Sequence, residues 1–371
     1  MRILVLPRDT NPYQSLLYGE MQALGAQVTY LSEMTRSHTL NLLFLPLEVM
    51  FRRLAGAQLI HLHWVFAFSL PGARRFPVMR RAAYIWFLVW LRTCRMAGIR
   101  LVWTAHNVLP HGPIFADDVA ARRALVGACD LVLAHSPSTL AELAALGAVV
   151  RRSAVIRHGP FAPPMSAASL RPPGAGGGLP RFLFFGRIQK YKGVDDLLAA
   201  FTAMPADVAA HLTIAGQCDD PALRSRLDAL ARRGGASITV RLERVPEEEV
   251  AQLLAAADVV VLPFRQVTTS GSAMLALAHE RPLIVPDLPG LAELPDSAVL
   301  RYSGGVPGLI AALIRMACAD AETLAAMSAA ARSYASRMTW QEIAKRTMSE
   351  MITVLYGDPA GQAHVVSSSE P

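Results

Sequence analysis

The chain has 371 residues, of which 53 % are hydrophobic and 18 % are charged. That composition excludes an intrinsically disordered protein, and four cysteines in this length exclude a small disulfide-stapled module. The formal net charge is +7, and the segment 74–100 contains seven arginines and no acidic residue. These arginines flank an apolar run instead of alternating with aromatic residues. We therefore expect an anionic membrane surface or a phosphate as partner, and no nucleic acid.

Short apolar runs alternate with helical patterns through the first 160 residues, as is typical of parallel strands covered on both faces. The first run is followed at once by charged residues and predicts a buried strand, not a secretory signal. No run reaches the roughly 20 apolar residues of a membrane-spanning helix, so we expect a cytoplasmic protein. Predicted strands lie at 3–6, 27–31, 58–63, 101–105, 131–135 and 154–157, and predicted helices at 16–24, 120–128 and 139–146.

Residues 161–180 are rich in proline and glycine and predict a linker. Beyond them, predicted strands lie at 182–185, 211–215, 238–242, 259–262, 283–285 and 299–302, and predicted helices at 195–202, 221–232, 246–256, 272–279, 306–317, 321–336 and 340–355. We therefore predict an α/β protein with two doubly wound domains, 1–160 and 181–338, that face a cleft. A closing helix at 339–356 should pack back on the first domain, and the polar tail 357–371 should be disordered.

A turn follows the first strand of the second half, with Gly186 at its start and Arg187 and Lys192 beyond it. Glycine lets a ligand approach the backbone, and two cations neutralise a diphosphate. A second loop precedes the helix predicted at 272–279, where backbone N–H groups and the helix dipole favour an anion. Its residues are Thr269, Ser270, Gly271 and Ser272. The alternatives are structural: a solvated turn, and plain helix capping by a serine.

Four segments of this half resemble the donor-binding domain of GT-B fold glycosyltransferases, above all family 4 and related enzymes of bacterial exopolysaccharide assembly. They are 186–193, 214–216, 258–263, and 276–278 with 282–285, and the helix from Trp340 resembles the last helix of the family. The resemblance implies two Rossmann-like domains and a nucleotide-sugar donor held by Gly186, Arg187, Lys192 and the loop 269–272. It implies no cofactor and no metal, because cations and a helix end neutralise the leaving diphosphate in this family.

Two glutamates of the family are absent, since Val267 and Leu275 stand at their positions. In the family the first helps to place the donor sugar and the second holds the ribose. Their absence leaves the donor sugar, the nucleotide and the inverting or retaining outcome open.

Polar residues that follow the strands of the first half are candidates for the chemistry. His106 follows the fourth strand, where a histidine of the family faces the donor sugar, and is the first catalytic candidate. Asp9 follows the first strand and is the rival base, and Asn11 beside it is a candidate acceptor contact. Helix capping is the alternative for both. His63 is a further candidate acceptor contact. It forms an H-x-H pair with His61, but no third ligand has suitable spacing for a metal.

The segment 77–95 has the composition of a helix that lies in a membrane interface. Its central run is apolar on all sides, Trp86 and Trp90 share one helical face, and Arg81, Arg92 and Arg95 cluster on the opposite side. The alternative is a helix buried inside the fold. The stretch 42–53 repeats the pattern more weakly.

The sequence thus predicts a glycosyltransferase that is peripheral to the inner face of the cell membrane. It should transfer a sugar from GDP-mannose or a UDP-sugar to a lipid-linked or polysaccharide acceptor. A catalytically inactive nucleotide-sugar-binding protein and a GT-B epimerase or phosphorylase are the alternatives. The acceptor and the oligomeric state stay open.

Overall fold

The computed structural model describes residues 1–9, 11–73, 75–110, 112–160 and 178–357. The chain forms two compact units. Unit 1 is Met1–Arg157 together with the chain from Trp340 onward, and unit 2 is His158–Thr339. Most of the predicted linker, 161–177, and of the predicted tail, 358–371, lies outside the described residues.

Each unit is built on a parallel sheet. The strands of unit 1 are β1 (Arg2–Leu6), β2 (Gln27–Tyr30), β3 (Leu59–Leu62), β4 (Arg100–Ala105), β5 (Leu131–Ala134) and β6 (Ser153–Val155). Those of unit 2 are β7 (Arg181–Phe185), β8 (His211–Ala215), β9 (Ile238–Arg241), β10 (Val259–Val261), β11 (Leu283–Pro286) and β12 (Val299–Tyr302).

Helices connect the strands, as parallel sheets require. They are α1 (Pro12–Ala23), α2 (His38–Leu54), α3 (Pro77–Met96), α4 (Asp118–Ala128), α5 (Pro137–Ala145), α6 (Val194–Thr202), α7 (Pro221–Arg233), α8 (Glu247–Ala256), α9 (Gly271–Ala278), α10 (Gly305–Ala317), α11 (Ala321–Ser336) and α12 (Trp340–Tyr356). The last of them belongs to unit 1, where it packs on α1.

The sheet orders are β2-β1-β3-β4-β5-β6 and β12-β11-β10-β7-β8-β9. The direction in which strands are added therefore reverses between β1 and β3 in unit 1 and between β7 and β10 in unit 2. In doubly wound sheets, ligands bind at such switch points, beyond the carboxyl ends of the strands. The predicted α/β fold class is confirmed, and each predicted strand lies within two residues of an observed one.

Helix α2 contains the stretch 42–53, which repeats the pattern of an interface helix more weakly, and its interior contains Pro46. Proline has no backbone N–H, so the carbonyl of Leu42 loses its partner four residues along the helix. The indole Nε1–H of Trp86, on α3, donates to that carbonyl at 2.8 Å instead. The two helices are thus joined where the proline interrupts the ladder.

The tryptophans of α3 do not have the predicted role. Trp90 is fully buried and packs near Phe68, with ring centroids 5.0 Å apart, while half-buried Trp86 is bound to α2. The prediction that both enter a membrane is therefore wrong. In a helix that is apolar on all sides, the fold buries the largest apolar surfaces. The exposed face of α3 instead presents apolar residues with Arg81, Arg92 and Arg95. None of the described helices is long and apolar enough to cross a bilayer.

Candidate functional site

A continuous series of hydrogen bonds joins polar side chains at the carboxyl edge of the unit 1 sheet. We call it the histidine chain. Its donor–acceptor distances lie between 2.6 and 3.2 Å. Its members, in order, are Thr104, His61, Tyr18, His63, His106, His135 and the backbone carbonyl of Ile156.

The carbonyl of Ile156 fixes the direction of these bonds, because a carbonyl only accepts. His135 Nδ1 therefore donates to it at 2.9 Å, and His135 Nε2 accepts from His106 Nδ1 at 3.2 Å. When all the rings are neutral, every hydrogen bond of the histidine chain points in the same direction. At its far end the hydroxyl of Thr104 donates to His61 Nε2 at 2.7 Å. Each imidazole then carries its proton on Nδ1.

Burial keeps these rings neutral. Desolvation lowers the pKa of His61 to about 3 and that of His135 to about 4. The pKa of His63 also lies well below its ordinary value, because of burial first and then the neighbouring histidines. His61, His63 and His135 are therefore neutral, hydrogen-bonded rings at physiological pH.

His106 is held tightly at the end of β4. Trp64 stacks on its ring at a centroid distance of 4.5 Å, and Tyr13 meets it edge-on at 4.7 Å. Both of its ring nitrogens are engaged, by His63 and His135. To accept a proton at Nε2, His106 must first break its bond with His63.

His63 does not have the predicted role of an acceptor contact. It is 1 % exposed, and both of its ring nitrogens are bound, by Tyr18 and His106. His61 and His63 share one face of β3, as the alternation of side chains along a strand requires, but Tyr18 of α1 covers that face.

The loop after β1 gives Asp9 and Asn11 different tasks. Asn11 Oδ1 accepts from the backbone N–H of Tyr13 at 2.9 Å and caps α1, which is the structural alternative. Asp9 Oδ1 accepts from the N–H of Asn11 at 2.7 Å. The second carboxylate oxygen of Asp9 makes no hydrogen bond with the described residues. Buried Gln14 fixes this loop by accepting from Asp9 N–H at 2.9 Å and donating to the carbonyl of Pro7 at 2.7 Å.

In unit 2 the loop after β7 lies against the start of α9. Gly186 has a φ of +111°, which favours glycine, and a Cβ there would lie 3.3 Å from Ser272 Oγ. Ser270 Oγ caps α9 by accepting from Ala273 N–H at 3.1 Å. The N–H groups of Gly271 and Ser272 make no hydrogen bond with the described residues. They remain available to an anion, beside half-buried Thr269.

Lys192 is the unpaired cation of this edge. Its Nζ lies 4.4 Å from the ring centroid of Phe264 and 5.2 Å from that of Tyr191. No carboxylate of the described residues lies within ion-pair distance of it. Desolvation lowers the pKa of Lys192 to about 8.

Arg187 is not a free cation. Its Nη2 donates to Asp219 Oδ2 at 2.7 Å, on the exposed side of the loop. Arg265, after β10, is likewise engaged with Asp195 and Asp196. Exposed ion pairs contribute little stability, so an incoming anion can compete for Arg187.

Comparison with known proteins gives a family match within unit 2. Residues 179–319 match the family described as Glycosyl transferases group 1. The chain therefore contains a domain that is similar to this family. Gly186, Arg187, Lys192 and the loop 269–272 all lie within this domain.

Relatives extend the match in both units. A GDP-mannose:glycolipid 4-beta-D-mannosyltransferase of Xanthomonas campestris pv. campestris is 33 % identical over 33 % of this chain and 36 % of the relative. The chain thus spans about a third of the length of the first curated relatives it matches. A D-inositol 3-phosphate glycosyltransferase 1 of Catenulispora acidiphila is 28 % identical over 71 % of this chain and 69 % of the relative.

The fold recurs in a solved structure. Alr3699/HepE of Anabaena, in complex with UDP, has a TM-score of 0.70 at 18 % identity, covering 96 % of this chain and 100 % of that one. The GT-B resemblance stated from the sequence is thereby confirmed at the level of fold.

Several site residues were missed by sequence reasoning. Tyr18, Thr104 and His135 belong to the histidine chain, and only His135 has a local signal, since it directly follows a buried strand. In unit 2, exposed Asp287 likewise directly follows a buried strand, β11. Among the described residues, no group of three His, Cys, Asp or Glu side chains is placed to hold a metal ion.

Proposed function

We propose that the protein is a glycosyltransferase that moves a sugar from a nucleotide diphosphate sugar to a lipid-linked or polysaccharide acceptor. The Xanthomonas relative is named for GDP-mannose and a glycolipid, and the Anabaena structure contains UDP. GDP-mannose and UDP-sugars are therefore both proposed donors. The acceptor belongs to unit 1 and the donor to unit 2.

The observation on which this proposal rests is the unpaired cation of Lys192. It follows β7, and the available N–H groups of α9 follow β10, the neighbouring strand at the switch point of the sheet. A leaving diphosphate needs such a preorganised positive environment. In this proposal Lys192 and α9 neutralise it, without a metal or another cofactor.

On the acceptor side, we propose Asp9 as the base if the configuration inverts. One of its oxygens is fixed by the N–H of Asn11, and the other has no hydrogen-bond partner among the described residues. His106 is fully engaged within the histidine chain and serves to contact and orient the sugar. Asp9→Asn should lower kcat by about 10²–10⁴-fold with little change in nucleotide affinity. Steady-state kinetics beside nucleotide titration measures this, and unchanged turnover would exclude Asp9 as base.

We further propose that an anionic membrane surface contacts α2 and α3. Seven large apolar side chains of α2, between 42 % and 83 % exposed, recur at helical spacing and form what we call the α2 apolar stripe. They are Leu40, Leu43, Phe44, Leu47, Met50, Phe51 and Leu54. Exposed arginines of α3 supply positive charge nearby. The acidic residue of α2, Glu48, is buried and accepts from Ser32 N–H at 2.9 Å.

The donor half of the proposal is tested by thermal shift of the purified chain against GDP, UDP, GDP-mannose and UDP-glucose. A bound nucleotide stabilises the folded state by mass action. Lys192→Met should remove the shift, whereas Lys190→Met should retain it. Lys190 is the matched control because it lies on the same turn but is exposed and paired with Asp220.

Transfer is tested with the nucleotide sugar that binds, radiolabelled in the sugar, and bacterial lipid extract as acceptor. Label in the lipid fraction supports the proposal. Nucleotide binding with neither transfer nor hydrolysis would favour the inactive binding protein, and absence of any nucleotide shift would refute the donor site.

A further inference from the structure

A cavity of about 810 Å³ lies in unit 1 beside the histidine chain. Its wall combines aromatic rings, polar side chains and one buried arginine. The residues that line it include Trp64, Phe66, Ser69, Trp103, Asn107 and Arg122.

Arg122 is buried in an unusual way for a cation. It is 5 % exposed, although no carboxylate of the described residues lies within ion-pair distance of it. Its Nε donates to the carbonyl of Val108, and its Cζ lies 4.4 Å from the ring centroid of Trp103. The carboxylate of Asp118, one turn earlier on α4, instead accepts from the N–H of Phe115 at 3.0 Å.

The two terminal nitrogens of Arg122 make no hydrogen bond with the described residues. Burial lowers the pKa of the guanidinium to about 10, so it stays charged at neutral pH. A buried charge whose donors lack partners is unfavourable, and an oxyanion in the cavity would satisfy the guanidinium fork with two parallel bonds.

The rest of the wall suits a sugar ring. Trp64 and Phe66 lie 6.0 Å apart with nearly parallel rings, and Phe66 is 44 % exposed. Flat aromatic surfaces pack on the apolar faces of a pyranose, while Ser69 and Asn107 offer hydrogen bonds to its hydroxyls.

We propose that this cavity is an acceptor subsite for a carbohydrate that bears an oxyanion, either a carboxylate or a phosphate, with Arg122 as the partner of that group. The assignment rests on the proposed function, in which unit 1 receives the acceptor. The cavity reaches His63, so the sugar would lie next to the histidine chain that orients His106.

The test measures binding without turnover. All five tryptophans, Trp64, Trp86, Trp90, Trp103 and Trp340, belong to unit 1, so tryptophan fluorescence reports on that unit. The full chain is titrated with glucose, glucuronate, glucose 6-phosphate and inorganic phosphate, and UDP and GDP binding is followed separately by thermal shift. We expect at least one anionic sugar to bind about 10-fold more tightly than glucose, the scale of a charge-assisted bidentate contact.

Arg122→Met should abolish this preference and leave the nucleotide shift unchanged. Arg122→Lys should restore part of it, because charge returns without the fork. Arg123→Met, at the exposed neighbouring position of α4, is the matched control. If Arg122→Met fails to fold by circular dichroism, Phe66→Ala replaces it, and should weaken the binding of anionic sugar but not of inorganic phosphate.

Equal affinity for glucose and both anionic sugars would overturn the inference, as would binding of inorganic phosphate as tight as that of the preferred anionic sugar. A preference for glucuronate alone assigns a carboxylate, and one for glucose 6-phosphate alone assigns a phosphate. Loss of the nucleotide shift with an intact anion preference would refute the proposed donor site only.

Discussion

Lys192 and the buried histidines respond to burial in the same direction, because all of them carry positive charge when protonated. Desolvation lowers the pKa of Lys192 to about 8, whereas His61 and His135 titrate only near pH 3 and 4. At neutral pH unit 2 therefore retains a cation where a diphosphate would bind. His61 and His135 of unit 1, in contrast, are neutral at that pH.

The first prediction concerns nucleotide affinity and pH. Since Lys192 is charged below about pH 8, diphosphate binding should be strong there and should weaken as pH rises. A bound diphosphate favours the charged lysine, so the loss should begin near pH 8 and approach about tenfold in Kd per pH unit. Calorimetric titration of UDP and GDP between pH 6.5 and 10 measures it. Lys192→Met should bind weakly with no such pH dependence, and an identical profile in this variant would contradict the assignment.

The second prediction concerns the stability of unit 1. The folded pKa values of His61 and His135 lie below the unfolded value of about 6.5, so the unfolded chain binds more protons between pH 6.5 and 4. Stability is therefore complete above pH 6.5 and falls as the pH drops, by about 1.4 kcal/mol per pH unit for each buried histidine. Urea denaturation followed by tryptophan fluorescence at pH 4.5 to 7 tests this. His61→Gln should reduce the slope of unfolding free energy against pH by one such increment. His38→Gln, at an exposed position, is the control and should leave the slope unchanged.

At the scale of elements, α2 and α3 form a pair in which a proline in one helix is compensated by a tryptophan in the other. Pro46 leaves the carbonyl of Leu42 without its helical partner, and Trp86 supplies the missing donor at 2.8 Å. The bond orients α3 so that its tryptophans point inward. It also leaves the α2 apolar stripe on the outside.

A double-mutant cycle isolates that bond. Trp86→Phe keeps most of the apolar contact but leaves the carbonyl of Leu42 unsatisfied, so it should cost about 1–3 kcal/mol of unfolding free energy. Pro46→Ala restores a backbone N–H to that carbonyl, and in this background the cost of Trp86→Phe should fall below about 1 kcal/mol. Urea denaturation of the four proteins gives the coupling energy. Equal costs in both backgrounds would show that the bond contributes nothing.

The same pair of helices shows what sequence patterns can and cannot predict. All twelve strands of the described residues were predicted, most of them because buried parallel strands are continuous apolar runs bounded by turn residues. The inward face of α3 was not, since a run that is apolar on all sides has no periodicity to mark a face. The same distinction holds for the residues of the candidate site. His106 and Lys192 were predicted because they follow strands. Tyr18 and Thr104 were not, because they reach the histidine chain through packing between elements that are distant in sequence.

For the whole molecule, the proposed membrane surface predicts reversible binding to anionic vesicles. The α2 apolar stripe should contribute binding free energy that salt does not remove. The arginines of α3 should contribute an electrostatic part that salt screens, at about 1 kcal/mol per charge near the surface. Co-sedimentation with vesicles of phosphatidylglycerol at low and high salt separates the two. Leu47→Ser with Phe51→Ser should weaken binding at both salt concentrations, and Arg92→Ala with Arg95→Ala mainly at low salt.

The matched control for this experiment is Trp90, which is fully buried. Trp90→Phe leaves the exposed surface unchanged and should bind vesicles like the parent chain. Release of the vesicles by a correctly folded Trp90→Phe protein would restore the sequence-based assignment of the membrane face.

Helix α12 follows unit 2 along the chain although it belongs to unit 1. It meets Tyr13 through Trp340, with ring centroids 5.2 Å apart, and Gln58 through the hydroxyl of Tyr356 at 2.8 Å. Tyr13 in turn packs against His106. During translation, the roughly 180 residues of unit 2 must emerge before α12, a delay of about 10–40 s at 5–20 residues per second. During that interval α1 lacks α12, the helix that packs on it. A ribosome-bound chain that has not yet released α12 therefore lacks the contact of Trp340 with Tyr13, the ring that packs against His106.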